Sequence, residues 1–312
     1  MADLTDLPFC LLCKEFGADV VFREMVSSQA IVRKNGKTLK MIEIDERERP
    51  VIQQIFGSDP DTMAHAAAMI EERVHPDGID INMGCPVHKI TSNFDGASLM
   101  RDPDRAQAIV RAVKAAVSVP VSVKTRLGWN NKIDIRIFVR KLEEAGADLV
   151  SIHGRTKEQG YSGKADWQAV GDARKLVPNL PILVNGDIVD AKTAEEALTQ
   201  SGADGVLIGR GCLGNPWIFQ ELKSEPLLDK GFISMGWKYP GVDFPAPTFT
   251  DRKNIVLKHA HLQIERYGNH GLTKLRKHLP WYFKGDPVWK ELRAKLVRVT
   301  TMEELEEMLD LV

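Results

Sequence analysis

The sequence predicts an α/β protein, a (β/α)8 barrel whose first strand is missing from this chain, followed by a small helical domain. Three observations point there. Seven short β-branched runs alternate with helical patterns, the mark of a parallel sheet built from βα units. The same Gly-Ala-Asp stop recurs at Gly17-Ala18-Asp19, Gly146-Ala147-Asp148 and Gly202-Ala203-Asp204, with glycine as the usual helix terminator. Polar and glycine residues stand at the C-terminal end of nearly every run, all around the chain. That is the habit of a barrel, whereas a doubly wound sheet gathers such residues at one switch point.

The elements follow in order. The chain opens on a loop and a helix, in which Leu11, Leu12 and Phe16 surround Cys10 and Cys13. Strands are expected at 19–25, 51–57, 78–83, 119–126, 148–155, 181–187 and 205–211, and helices at 62–74, 103–117, 134–146, 167–177 and 192–202. Segment 224–247 holds Pro226, Gly231, Gly236, Pro240, Gly241, Pro245 and Pro247, breakers that no helix survives. It divides the chain into a barrel at 1–223, a linker at 224–247 and a helical module at 248–312. With 312 residues, one barrel core and a small appended unit are the natural expectation.

Composition narrows the function. The chain is 43% hydrophobic and 27% charged, the make-up of an ordinary globular protein. It shows no apolar run of membrane-spanning length and no leader pattern, so it reads as cytoplasmic. Four cysteines are too few and too scattered for a disulfide framework. Cys10 and Cys13 form a CxxC without a second pair, and no metal site is expected. The formal charge is −1, yet twelve basic residues face three acidic ones between Arg252 and Arg298. Lys274 and Lys277 lie in that stretch, and the concentration suits a phosphate backbone. Trp281, Tyr282 and Phe283 stand among these cations, either as nucleic-acid contacts or as core.

The strand ends carry the chemistry. Gln54 lies on the 51–57 run; Asn82 and Cys85 end the next; Lys124 and Arg126, then His153-Gly154-Arg155, then Asn185-Gly186-Asp187, then Gly209-Arg210-Gly211 end the others. Barrel geometry brings them to one mouth. Glycine amides after the last two strands commonly cradle a phosphate, and Arg210 adds a forked cation. Taken singly, each has a plainer reading: a salt-bridged Lys124, a core His153, a tight turn at 185–187, a solvated Arg210. Cys85 alone would most often be a small buried hydrophobe. Six polar clusters on six successive strand ends argue instead for a cofactor site.

The string from Asn82 through Met-Gly-Cys-Pro-Val-His-Lys-Ile, with Gly96-Ala-Ser-Leu-Met downstream, resembles the signature of the flavin-dependent tRNA-dihydrouridine synthases. The resemblance extends from Met1-Ala2 and Thr5-Asp6-Leu7-Pro8-Phe9 through His153-Gly-Arg-Thr and Asn185-Gly-Asp-Ile to Asn215-Pro-Trp-Ile-Phe. It implies a bound FMN, reduced by NADPH, that reduces the 5,6 double bond of particular uridines in tRNA. The FMN-contacting positions would be Met1, Ala2, Gln54, Lys124, His153, Asn185, Gly186, Asp187, Gly209 and Arg210. Lys124 fits the N1 and O2 side of the ring as a partner for its reduced, anionic form. Asn82, Arg155, Lys274 and Lys277 would contact the substrate, with the helical module as the tRNA-binding domain. Cys85 would be the proton donor: hydride reaches C6 of uracil, and C5 is protonated from the opposite face. An ordinary thiol, with a pKa of about 8.5, stays protonated at neutral pH where a carboxylic acid would not.

Two departures bear on this reading. Relatives carry about a dozen residues ahead of the Met-Ala, including the first strand, and they usually have glycine where this chain has Asp3. Loss of that strand leaves the second and eighth strands with unpaired edges. It implies a start at an internal methionine or an impaired paralogue. The alternatives are accordingly an FMN-dependent reductase of a free pyrimidine, which has no use for the basic module, and an inactive tRNA-binding paralogue.

Overall fold

The computed structural model describes residues 1–132, 134–224, 246–284 and 293–310. One sheet holds strands β1 (Val21–Phe22), β2 (Val26–Ser27), β3 (Val51–Phe56), β4 (Gly78–Met83), β5 (Val121–Arg126), β6 (Leu149–His153), β7 (Ile182–Asn185) and β8 (Gly205–Leu207). The pairing runs β1-β3-β4-β5-β6-β7-β8, with β2 also on β3, and every pair is parallel. The expected strand at 19–25 is thus interrupted. Arg23 turns off the sheet, donating from Nη1 to Glu48 Oε1 (2.7 Å) and the Glu43 carbonyl, and from Nη2 to the Met41 carbonyl. Burying a guanidinium demands partners of this kind, and reaching them bends the chain between β1 and β2.

The helices begin where the sequence places acidic caps. Helix α1 (Leu7–Glu15) is capped by Asp6, whose Oδ1 accepts from the Phe9 amide. Among the later helices, Pro60–Val74 starts at Asp59-Pro60 and Pro103–Ala116 at Asp102-Pro103, each with an aspartate cap and proline in the first turn. Asp190 closes a capping box with Thr193 before Ala191–Ser201. Gly17, Gly146 and Gly202 all take positive φ (94°, 85° and 59°), the left-handed conformation their Gly-Ala-Asp stops require. On β4, Ile79, Ile81 and Met83 pack into the main core with helix residues such as Ile70, Ile109 and Val113. Asp80 and Asn82, one step out of phase, point to the other face. On that face the paired neighbours Asn82 and Lys124, Arg126 and His153, and His153 and Asn185 lie side by side.

Among the described residues no ladder joins β8 to β1, so the curved sheet has two free edges. A separate apolar cluster spans them: Phe9, Cys10 and Cys13 of α1 pack with Val21 and Val51 on one side and with Cys212, Leu213 and Ile218 on the other. Helix Phe249–Tyr267 opens the C-terminal module, with Thr248 as its cap. Leu12, Phe16 and Trp217 share a core with Val256, Leu275, Tyr282, Leu305 and Leu309 of the module. Tyr282 and Phe283 are therefore core residues. The linker lies almost wholly outside the described residues, as do Lys290, Trp237 and Tyr239.

Candidate active site at the barrel mouth

A chain of side-chain hydrogen bonds crosses the base of the mouth. Ser122 Oγ donates to Asp80 Oδ1 (2.6 Å) and Gln54 Nε2 to Asp80 Oδ2 (2.6 Å). Asn82 Nδ2 then donates to Gln54 Oε1 (2.8 Å). Asn82 Oδ1 accepts from the amides of Gly84 (3.2 Å) and Cys85 (2.9 Å). The corner after β4 is thereby fixed to the wall of the barrel. Its other side is fixed as well, because the Cys85 carbonyl accepts from the Ala97 amide at 3.1 Å. Gly96 has φ +62°, and a Cβ there would come within 2.9 Å of the Cys85 carbonyl, so glycine is required. Cys85 is left half-buried, within the electrostatic reach of Lys124 and Arg126.

Burial pushes the Asp80 carboxyl up, against the opposing effect of its bonds from Ser122 and Gln54. Burial, with the like charge of Arg126, brings Lys124 down to about 8. Lys124 Nζ donates to Asn185 Oδ1 (3.0 Å), and Asn185 Nδ2 to the Leu207 carbonyl (2.7 Å). The direct partner of Lys124 is a neutral amide, and the Asp80 carboxyl acts on it only through space, so the ammonium keeps donors for an anion in the mouth. His153 is brought down to about 2 by burial and then by Lys124, Arg126, Arg155 and Arg210, and is neutral. Its Nε2 lies 3.2 Å from Arg155 Nη1. Guanidinium can only donate, which assigns the proton of this ring to Nδ1.

Arg155 is 2% exposed. It donates to Asp187 Oδ2 (2.6 Å) and to the carbonyls of Gly163 (2.6 Å) and Ser162 (3.1 Å). The structure thus places this expected substrate contact inside the wall, bracing the 185–187 turn. Asp187 has φ +57° and Gly186 φ +113°; a Cβ on Gly186 would meet Ala165 at 2.9 Å and the His153 ring at 3.2 Å. Burial would raise the Asp187 carboxyl, but the Arg155 side chain and the Ala165 amide hold it below its ordinary value.

The mouth suits a phosphorylated flavin. A Cβ at Gly209 would find nothing closer than 3.9 Å, where it meets Asn185 Nδ2 and Met1 Sδ, so the strand end is an open backbone cradle. Arg210, 46% exposed, stands 3.7 Å from Asp187 and 4.4 Å over the Tyr161 ring. Met1 reaches the mouth, while Ala2 is exposed on its lip. Gln54 has both ends engaged, keeping one N–H and one lone pair for a ring edge. Lys274 and Lys277 of the module act on the carboxyl of Glu24, between β1 and β2, and so border the same mouth.

Sequence reasoning did not single out Tyr161, and it placed Arg126 at the mouth without giving it a role. Tyr161 sits among glycines and polar turn residues, where no period marks it. It is 58% exposed, between the guanidinium groups of Arg126 (5.6 Å) and Arg210 (4.4 Å). Arg126 donates to the carbonyls of Gly84 (2.8 Å), Thr156 (2.9 Å) and Gly160 (2.8 Å), tying the Cys85 corner to the next loop. Its place at a strand end was the available signal.

Comparison with known proteins agrees with this geometry. The family model described as Dihydrouridine synthase (Dus) matches residues 1–312. A probable tRNA-dihydrouridine synthase 1 from Synechocystis sp. is 39% identical over 99% of this chain and 84% of its own length. Probable tRNA-dihydrouridine synthases from Rhodobacter capsulatus (37%, over 96% of this chain and 89% of the relative) and Mycobacterium leprae (34%, over 99% and 86%) are similar throughout. Among solved structures, a 2-naphthoyl-CoA reductase complex matches with a TM-score of 0.54 at 13% identity, over 71% of this chain and 47% of that one, a likeness of fold alone. No helix among the described residues is long and apolar enough to cross a membrane. With its sheet, its Cys85 corner and its full-length match all in agreement, the chain belongs to the dihydrouridine synthase family.

Proposed function

We propose that this chain reduces the 5,6 double bond of uridines in tRNA, with FMN at the barrel mouth, NADPH as the reductant and Cys85 as the acid. The observation that carries this reading is the position of Cys85. The thiol stands on a corner pinned by Asn82 and Ala97, next to an undercompensated buried ammonium, at the one end of the sheet where phosphate-cradling glycines converge. Bound there, the flavin supplies the hydride for C6 of the uracil ring.

The residues of the chain do the rest. Lys124 places its ammonium where negative charge gathers, and Asn185 holds it there. Gly186, Asp187, Gly209 and Arg210 take the phosphate, and His153 Nδ1–H donates into the mouth. Asn82 keeps the Cys85 amide fixed, so the thiol delivers its proton to C5 from a set direction. The module at 248–312 presents tRNA, with Lys274 and Lys277 beside the mouth. Two other readings, a free-pyrimidine reductase and an inactive tRNA-binding paralogue, find no support among the relatives.

The test separates the half-reactions. Cys85→Ala should keep its flavin and accept reducing equivalents from NADPH, yet lose about a hundredfold to ten-thousandfold in uridine reduction. Stopped-flow mixing of the reduced variant with unmodified tRNA reads this directly. Reoxidation as fast as wild type would remove Cys85 as the acid, and a colourless wild-type protein would remove the flavin.

A further inference from the structure

We propose that the seam between the barrel and the helical module is a site for a divalent transition metal, zinc by its donor set, held by Asp6, His259 and His278. One carboxylate oxygen of Asp6 and one ring nitrogen of each histidine lie within 4.8 Å of one another. All three side chains are buried, Asp6 at 1% exposure and both histidines at 0%. Asp6 precedes α1 on the barrel side, and the histidines belong to the module. The sequence shows no metal motif because its parts come from opposite ends of the chain.

The cluster is built for a ligand that hydrogen bonds do not replace. Both ring nitrogens of His278 lack any hydrogen-bond partner, as does Gln263 Oε1 beside it. Buried polar atoms are nearly always paired, so this group of orphans calls for an occupant. His259 is already oriented as a ligand: Nδ1 lies 2.9 Å from the Tyr282 hydroxyl, and with the proton on Nδ1 the Nε2 lone pair has the Gln263 amide as its hydrogen-bond partner. Outer partners of this kind fix metal-bound histidines. The Gln263 amide nitrogen stands 3.2 Å from His259 Nε2 and from Asp6 Oδ2. Turned end for end, the amide would bring its oxygen to the same place as a fourth donor, tolerable beside a carboxylate only with a cation between them.

Phe9 closes the site, its ring stacked at 5.1 Å on His278 and 5.9 Å from His259. Zinc–ligand bonds of about 2.0–2.2 Å set donors roughly 3.3 Å apart in a tetrahedron, inside the 4.8 Å within which these donors lie, so the rings can close on the ion by small movements. No hydrogen bond of the His278 ring opposes that motion. A fully buried set of nitrogen and oxygen donors makes the site structural, fastening the module to the barrel.

The full-length protein, purified and dialysed, should carry about one zinc per chain by elemental analysis. After chelation, added Co2+ should give visible d–d bands, which d10 zinc lacks, without thiolate charge transfer, since Cys10, Cys13 and Cys212 are not ligands. Zinc added to the stripped protein at about a hundred times its Kd should raise the melting temperature by about 5 °C. His278→Leu, which keeps the site apolar and filled, should lose metal, cobalt bands and the shift while retaining its far-UV circular dichroism. Zinc below about a tenth per chain with an unmoved melting temperature would overturn the proposal. So would thiolate bands, or metal binding undiminished in His278→Leu. The cobalt spectrum of the wild type decides the ligand class even if that variant does not fold.

Discussion

Lys124 is held in the mouth at a cost to the flavin-free fold, and that cost is measurable. Its ammonium sits at about 8 against an ordinary 10.5. At about 1.4 kcal/mol per pH unit, holding this charge in the mouth costs about 3 kcal/mol of stability at neutral pH, an upper bound because the side chain keeps partial solvent access. The sign follows from proton counting. Between about pH 8 and 10.5 the unfolded chain binds the proton and the native one does not, so stability rises with pH through that window; below pH 8 the full cost stands. Lys124→Met removes the titration and also the bond to Asn185, but the bond contributes an offset that does not vary until Lys124 loses its proton. The informative quantity is therefore the change in the difference. Urea unfolding of both flavin-free proteins should show wild type gaining about 2 kcal/mol on Lys124→Met between about pH 7 and pH 10. Parallel curves would mean that Lys124 is solvated in the free protein. The same substitution should weaken FMN binding, which separates a residue kept for its ligand from one kept for the fold.

Other outcomes follow from the same geometry. Arg210→Ala should raise the FMN dissociation constant about tenfold to a hundredfold, the worth of one charged hydrogen bond; an unchanged value in a fluorescence titration removes Arg210 from the phosphate site. Lys274→Glu with Lys277→Glu should weaken tRNA binding and flatten its salt dependence by about two phosphate contacts, leaving FMN content untouched, and a mobility-shift series with an unaltered slope would make them merely solvated. Asp3 has φ +58°. Asp3→Gly should therefore stabilise the protein by about 1 kcal/mol, seen as a small rise in melting temperature, whereas a fall would reveal a compensating contact of the carboxylate.

The parts of this molecule that obey local rules were legible in the chain. Aspartate-proline starts and Gly-Ala-Asp stops set the helix ends, and strand-end clusters gave Lys124, Asn185, Gly186 and Gly209 together. What escaped was decided by long-range pairing. The split between β1 and β2 depends on Arg23 finding Glu48 and two carbonyls, contacts no window around residue 23 contains. Arg155 reads as a mouth residue from its strand end, yet Asp187 and two loop carbonyls draw it into the wall. Tyr161 owes its place to Arg126 and Arg210, neither adjacent to it in sequence. Within the basic stretch, Lys253 pairs with Asp310, Lys258 with Glu15 and Arg266 with Glu43, acidic partners that all lie outside it in sequence.

Helix α1 shows how the open sheet and the module depend on each other. Its first seven residues, Leu7 to Cys13, are all buried, although a helix on the surface of a barrel normally buries one stripe. Phe9, Cys10 and Cys13 fill the space between the free edges of β1 and β8, and Leu12 with Phe16 enters the core of the module. The polar residues around it reach the same partners: Asp6 meets Gln263, and Glu15 meets Lys258. A helix enclosed on both sides cannot shift toward one without opening a cavity on the other, and truncating a buried leucine or phenylalanine costs about 2–5 kcal/mol. Damage to Leu12 should consequently reach the barrel mouth, through α1 to the separate cluster that holds Cys10 and Met1. The module is then part of what holds the sheet edges together.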